Sequence, residues 1–407
     1  MPTSSPPPPP QRCLFVDDDP AILSGLGRLL RPHRQELVGE FVGSGSDALA
    51  RLALESFDIV VTDMRMPGMD GAALLEELQR SYPHVIRIAL SGHSDVRDAM
   101  RAVPVAHQFL AKPCDASTLK SVLLRAAGLH RLLRDRELQT LAAGMRDVPA
   151  RPKTYTALAA RLADPKATAG NIADLIVRDV ALSANLLRIV NSAFFGLPRR
   201  VTSIESAVSY LGTTMLGSLI LANAATTALG PRARKHGYDL QLNESYSLLS
   251  ANVAMQLFDN KDDREDAFAA ALLQNVGELL LVAAAPERAL AAFVRARETG
   301  VPLEAAEREL GVVSHAHVGA YLLGAWGLPY SLVEAVAHHH EPLAVEHDKL
   351  ELVDAAYLGG LLADHCLLGR EDSLPRAAQH LEHFGAGDRL SQLQTAADQW
   401  RSQDVQR

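Results

Sequence analysis

The chain has 407 residues, 48% apolar and 22% charged, a globular profile long enough for two or three domains. Its net charge of −8 gives no general electrostatic case for nucleic acid as a partner. The cysteines Cys13, Cys114 and Cys366 lie far apart with no CxxC pair, which argues for a reducing cytoplasm and against a thiolate metal site. No apolar run reaches the roughly 18 residues a membrane span needs, and the N-terminus lacks a basic-then-apolar signal pattern. The reading is a soluble cytoplasmic protein with no membrane partner. Residues 1–11, almost all Pro and Ser up to Pro10, are read as a disordered Pro-rich tail that cannot build a core.

From Arg12 onward, short apolar runs alternate with amphipathic stretches. CLFV (13–16), ELVGEFV (36–42), FDIVVTD (57–63), VIRIALS (85–91) and HQFLAKP (107–113) read as five strands. Helical spacing over 20–31, 46–55, 70–81 and 94–103 separates them. This alternation predicts a doubly wound α/β fold with five parallel strands, whose chemistry gathers at the carboxyl ends of the strands. Asp17, Asp18 and Asp19 follow the first strand, Asp63 ends the third, Ser91 the fourth, and Lys112 with Pro113 the fifth. Converging carboxylates repel unless a cation neutralises them, and all-oxygen ligands suit Mg²⁺. An Asp beside that metal can attack a phosphoryl donor, while a lysine ammonium offsets the charge on the phosphoryl oxygens. Helix capping accounts for Asp19, which precedes Pro20, but not for Asp63, Ser91 and Lys112 closing three different strands.

LFVDDDP, IVVTDMRMPGMDG, ALSGHSD and FLAKP, in that order, resemble the receiver domain of two-component response regulators over residues 12–130. The resemblance implies a flavodoxin-like receiver with Asp63 as phosphoacceptor. It implies Mg²⁺ held by Asp17, Asp18, Asp63 and the backbone carbonyl of Arg65. Ser91 and Phe109 would be switch residues, Lys112 would pair with the phosphate, and Pro113 would follow a cis bond.

Residues 131–150 continue as an amphipathic helical linker, closed by Pro149 and Pro152. It suits either a short coiled coil with a second copy, giving a homodimer, or a lone helix packed on its own domains. Beyond it no strand pattern occurs. Helical periodicity runs through 154–163, 171–178, 181–192, 203–211, 213–229, 245–259, 264–284, 286–299, 302–310, 314–326, 329–340 and 349–366, which predicts an all-α globule. Inside the run ALLQNVGELLL (271–281), the amides Gln274 and Asn275 and the nearby Gly277 interrupt an otherwise apolar helix face. His315, His317 and the run His338, His339, His340 suit either a metal site or a helix end carrying several imidazoles.

DVALSANLLRIVNSAFFGLPRRVTSIESAVSYLGTTML (179–216) and HAHVGAYLLGAWGLPYSLVEAVAHHHEP (315–342) resemble the two halves of an HDOD domain, read over residues 151–365. HDOD domains are related to metal-dependent HD and HD-GYP phosphohydrolases, and typically act as binding or scaffolding modules. By that resemblance Leu249 stands at the first His ligand, and Gln274 and Asn275 stand at the His-Asp pair. His315, His338, His339, His340 and Asp354 match later ligands. The central ligands being neutral, a degenerate, non-catalytic cleft without metal is expected. Residues 366–407 read as a C-terminal helical extension that either caps this module or mediates assembly. The implied function is a non-enzymatic response regulator. A cognate sensor histidine kinase would phosphorylate it, and its HDOD output would bind a downstream signalling protein, with cyclic di-GMP enzymes among the candidate clients. The alternative is a residual HD-type phosphodiesterase or nucleotide-binding module.

Overall fold

A computed structural model describes residues 10–82, 85–91, 106, 108–112, 119–120, 122–126, 153–162, 168–190, 201–326 and 328–404. The predicted helix over 94–103, Pro113 and its peptide bond, and the linker 131–150 lie outside the described residues. The chain divides into two compact units, residues 1–134 and 135–407.

The first unit is a five-stranded parallel sheet: β1 (Gln11–Val16), β2 (Leu37–Val42), β3 (Ile59–Asp63), β4 (Ile86–Ser91) and β5 (Gln108–Ala111), ordered β2-β1-β3-β4-β5. The described helices are α1 (Pro20–Leu30), α2 (Gly45–Leu54) and α3 (Gly71–Ser81). Their starts follow local chemistry. Asp19, Ser44 and Asp70 each turn a side-chain oxygen onto a free backbone N–H of the first turn. β3 has every residue buried, as a central parallel strand covered on both faces requires.

The second unit is helical. Its helices are α4 (Lys153–Leu162), α5 (Ala169–Val177), α6 (Val180–Val190), α7 (Ile204–Leu211), α8 (Thr213–Lys235) and α9 (Leu240–Ala254). Then come α10 (Lys261–Leu273), α11 (Val276–Ala284), α12 (Pro286–Thr299), α13 (Leu303–Leu310), α14 (His315–Ala325) and α15 (Tyr330–His338). The chain ends with α16 (Leu352–Leu368), α17 (Ser373–His383) and α18 (Leu390–Asp404). Leu381, Leu393, Ala397 and Trp400 from the last two share one core cluster with Leu216, Leu249, Phe268 and Leu358. The C-terminal helices are thus part of this unit's own core. The run Lys261–Ala284 is long and apolar enough to cross a membrane by length and composition, and 83% of its apolar window is buried inside the unit.

The run 264–284, expected as one helix, is two. Gln274 closes α10, and Asn275, at φ −98° and ψ 12°, turns the chain into α11. Apolar spacing stays in phase across the break, so periodicity alone does not reveal it. Asn accepts this bridge conformation more readily than an apolar residue does. The break lets α11 meet α14 closely. A Cβ on Gly277 would stand 1.9 Å from the carbonyl oxygen of His315 and 2.5 Å from the amide nitrogen of Gly319. Only glycine permits that approach, which brings the first turn of α14 beside Asn275.

Candidate functional site

Strand register builds the acidic site of the first unit. Val16 pairs with Thr62, so the next residues, Asp17 and Asp63, emerge side by side. Asp63 pairs with Leu90 and Ser91 with Ala111, which sets Ser91 and then Lys112 at the same edge. Asp17 and Asp63 are buried, at 1% and 7% exposure, while Asp18 is exposed. Lys112 Nζ donates to Asp17 Oδ2 at 2.7 Å and pairs with Asp63 Oδ1 at 2.6 Å. Burial works against the ammonium, but its bonds to Asp17 and Asp63 outweigh burial and hold its pKa above the usual lysine value. The amide of Asp19 donates to Asp17 Oδ1 at 2.9 Å, and that of Arg65 to Asp63 Oδ2 at 3.2 Å. A Cβ on Gly71 would lie 2.1 Å from the carbonyl oxygen of Asp63, so glycine lets α3 start directly against the end of β3. Ser91 and Phe109 lie on β4 and β5 as expected, with their side chains outside the described ones.

Oxygen atoms of Asp17, Asp18 and Asp63 lie within 4.8 Å of one another. Three hard carboxylate donors, two of them buried, fit Mg²⁺ and suit no softer metal better.

The second unit holds a cleft of about 990 Å³ whose lining includes Tyr238, Asn243, Tyr246, Asn275, Glu278, Glu304, His315, His340, Asp364 and Arg370. His315 Nδ1 lies 3.0 Å from both oxygens of the buried Glu307. Burial disfavours the imidazolium, but Glu307 outweighs it and lifts the His315 pKa to about 9. His315 Nε2 is 2.9 Å from His340 Nε2, so charged His315 donates from both nitrogens and His340 accepts. Burial, then the charge on His315, pushes His339 down to about 3. Its Nδ1 donates to the Val336 carbonyl at 2.8 Å, which leaves Nε2 a buried lone pair with no hydrogen-bond partner. Nitrogens of His315, His339 and His340 all fall within 4.8 Å. The Glu307 carboxylate and the Val336 carbonyl thus hold the His315 and His339 rings from behind, as hydrogen-bond acceptors do for metal-ligating histidines.

The carboxylates of this cleft were not legible in the sequence. Glu278 accepts from the Tyr238 hydroxyl at 2.6 Å, and Asp364 from Tyr246 at 3.1 Å. Burial raises the pKa values of Glu278 and Glu304 and lifts that of Asp364 to about 6. Glu278 was the findable one, three residues beyond Asn275 on α11.

Several expected residues stand elsewhere. Leu249 is fully buried in the helical core. Gln274 is also fully buried, but both of its amide atoms lack a partner. His338 faces a smaller pocket of about 360 Å³ with His317 and Glu341. Asp354 does not join the histidine cluster: it is fully buried against His347 and His380. It lies on α16, which packs closely on α9. A Cβ on Gly359 of α16 would stand 2.4 Å from the Ser250 carbonyl oxygen.

Residues 13–124 match the response regulator receiver domain, and residues 148–342 match the HDOD domain. An uncharacterized protein of Treponema pallidum is 29% identical over 206 residues, covering 50% of this chain and 40% of that protein. The transcriptional regulatory protein GlrR of Escherichia coli is 37% identical over 107 residues, covering 26% of this chain and 24% of GlrR. The chain thus spans less than half the length of these curated relatives. An HDOD domain protein of unknown function from Geobacter sulfurreducens shares the fold, with TM-score 0.52 and 21% identity. The match covers 66% of this chain and 94% of that one. The chain therefore carries an N-terminal receiver domain homologous to those of two-component response regulators, followed by an HDOD domain.

Proposed function

We propose that this chain is a response regulator in which phosphorylation of Asp63 controls a non-catalytic HDOD module that works by binding a downstream signalling protein. The observation that carries it is Lys112 bridging Asp17 and Asp63 at the sheet edge. A carboxylate oxygen of Asp63 attacks the phosphorus of the donor, and the donor's leaving group departs with the bonding pair. Lys112 then follows the charge from carboxylate to phosphoryl oxygen, and the Arg65 amide holds Asp63 in place. Mg²⁺, held by Asp17, Asp18 and Asp63 with the Arg65 carbonyl, would supply further charge neutralisation. Ser91 and Phe109 would carry the change along β4 and β5. A sensor kinase is the donor this arrangement serves, and the linker 131–150 joins the receiver to the output.

The HDOD module is read as non-catalytic because its central pair is neutral. A hydrolytic dinuclear centre needs a carboxylate bridge to hold two cations at fixed spacing, and Asn275 and Gln274 supply none. A link to cyclic di-GMP enzymes as clients rests on the HDOD family alone. Treating the full chain with acetyl phosphate and Mg²⁺ tests the reading. Wild type should change oligomeric state or client binding, and Asp63→Asn should not; identical behaviour of both would overturn it.

A second reading is favoured by one observation, the unpartnered lone pair of His339 beside His315 and His340. Under it His315, once it gives up the proton shared with His340, would join His339 and His340 in holding a single transition-metal ion, which would supply nucleotide chemistry. Stoichiometric metal in the purified chain, lost in His315→Ala together with nucleotide turnover, would establish it; a metal-free chain without turnover would remove it.

A further inference from the structure

Away from the cleft, Asp354 gathers three donors. It accepts from His347 Nε2 at 2.9 Å, from His380 Nε2 at 2.7 Å and from the Glu351 amide at 2.7 Å. The other nitrogen of His347, Nδ1, lies 2.6 Å from the Val345 carbonyl oxygen. Both nitrogens of His347 therefore face acceptors, and satisfying both requires the doubly protonated ring. That ring stacks on Phe384 at 5.1 Å between centroids, and His380 meets Phe384 edge-on at 5.4 Å. The cluster ties three pieces together: the segment before α16, α16 itself, and the C-terminal end of α17. Immediately before α17 come Arg370, Glu371 and Asp372, which form part of the cleft wall.

We propose that His347, Asp354 and His380 form a protonation-dependent latch that holds α17, and with it the 370–372 wall of the cleft, against α16. Removing either proton of His347 leaves the Val345 carbonyl or the Asp354 carboxylate without its donor and cancels the charge attraction. The bond to Asp354 raises the His347 pKa against the opposing effect of burial. The contribution of His347 is therefore complete below its unfolded value of roughly 6.5 and disappears as pH rises through its folded value. Burial pushes Asp354 up, but its bonds from His347 and His380 outweigh that and leave it depressed. Its contribution is present above the unfolded value of roughly 3.9 and fades only as pH falls through the lower folded one. The latch is closed through the intervening range and opens on the alkaline side.

The other groups around the ring are consistent with this direction. Glu351, at the cap of α16, also favours the imidazolium. His380 shares the same carboxylate, and His383 on α17 packs edge-on against Phe384. Glu346, Asp348 and Lys349, on the segment of His347 itself, are exposed.

Hydrogen exchange of the full chain, corrected for intrinsic rates across a neutral-to-alkaline series, tests the latch. Opening of α17, relative to α7, should rise by up to about tenfold per pH unit between the open-state histidine value of roughly 6.5 and the raised closed-state value of His347, because opening releases one proton there, and should level off above it. In His347→Gln that excess should vanish. Equal pH dependence of α17 and α7 in wild type, or an excess unchanged in His347→Gln, would overturn the proposal. The wild-type comparison alone decides the matter if the variant fails to fold.

Discussion

The Nε2 atoms of His315 and His340 stand 2.9 Å apart, a separation that holds one proton between two imidazoles. That proton belongs to His315, whose other nitrogen is committed to Glu307. With both members of the His315–Glu307 pair buried, removing one strands the other. His315→Ala should destabilise the helical unit by about 3–5 kcal/mol. Trp326 and Trp400, the chain's two tryptophans, both lie in that unit and report its unfolding in denaturant. The contribution of the His315 proton is complete below the unfolded histidine value of roughly 6.5. In wild type it should fade as pH rises through about 9. In His315→Ala that alkaline loss should be absent.

Gly277 allows α11 and α14 to touch. Gly277→Ala places a methyl carbon where the His315 carbonyl oxygen already sits at 1.9 Å, and backbone cannot rotate away as a flexible side chain does. A loss of about 3 kcal/mol is expected in the same unfolding measurement.

Gln274 sits fully buried with neither amide atom bonded. Its burial is a cost that an apolar side chain of similar shape would not carry. Gln274→Met should therefore raise stability by about 1–2 kcal/mol, in contrast to the usual loss on core substitution. A stability decrease would show that the amide has a partner in solution.

Lys112 is the only cation bonded to both buried carboxylates among the described residues of the receiver. Lys112→Ala leaves Asp17 and Asp63 to repel each other and removes the charge that follows the phosphoryl group. Phosphate uptake from acetyl phosphate, followed by intact mass, should slow by about 100-fold.

The receiver was readable in sequence because Asp17, Asp63, Ser91 and Lys112 each sit at the carboxyl end of a strand, or one position past it, and the strand patterns are unmistakable. Parallel register then places Asp17, Asp63 and Lys112 together without further information. The HDOD cleft was less readable. The helix break at Gln274–Asn275 falls in phase with the apolar repeat, so only the Asn-Val-Gly composition hinted at it. Its carboxylates Glu278, Glu304 and Asp364 come from three different helices, α11, α13 and α16, a juxtaposition that no local pattern encodes. Asp354 shows the same limit from the other side. Its place along the chain agreed with a ligand position, but the geometry gave it to His347 and His380.

If phosphorylation controls the output, the chemical state of Asp63 is felt by the HDOD unit. Hydrogen exchange of the full chain with and without acetyl phosphate and Mg²⁺ tests it most directly, with Asp63→Asn as control. Exchange in peptides from residues 153–404 should change on phosphorylation of wild type and stay unchanged in Asp63→Asn. Full phosphorylation of Asp63 with no change in any of those peptides would contradict the account.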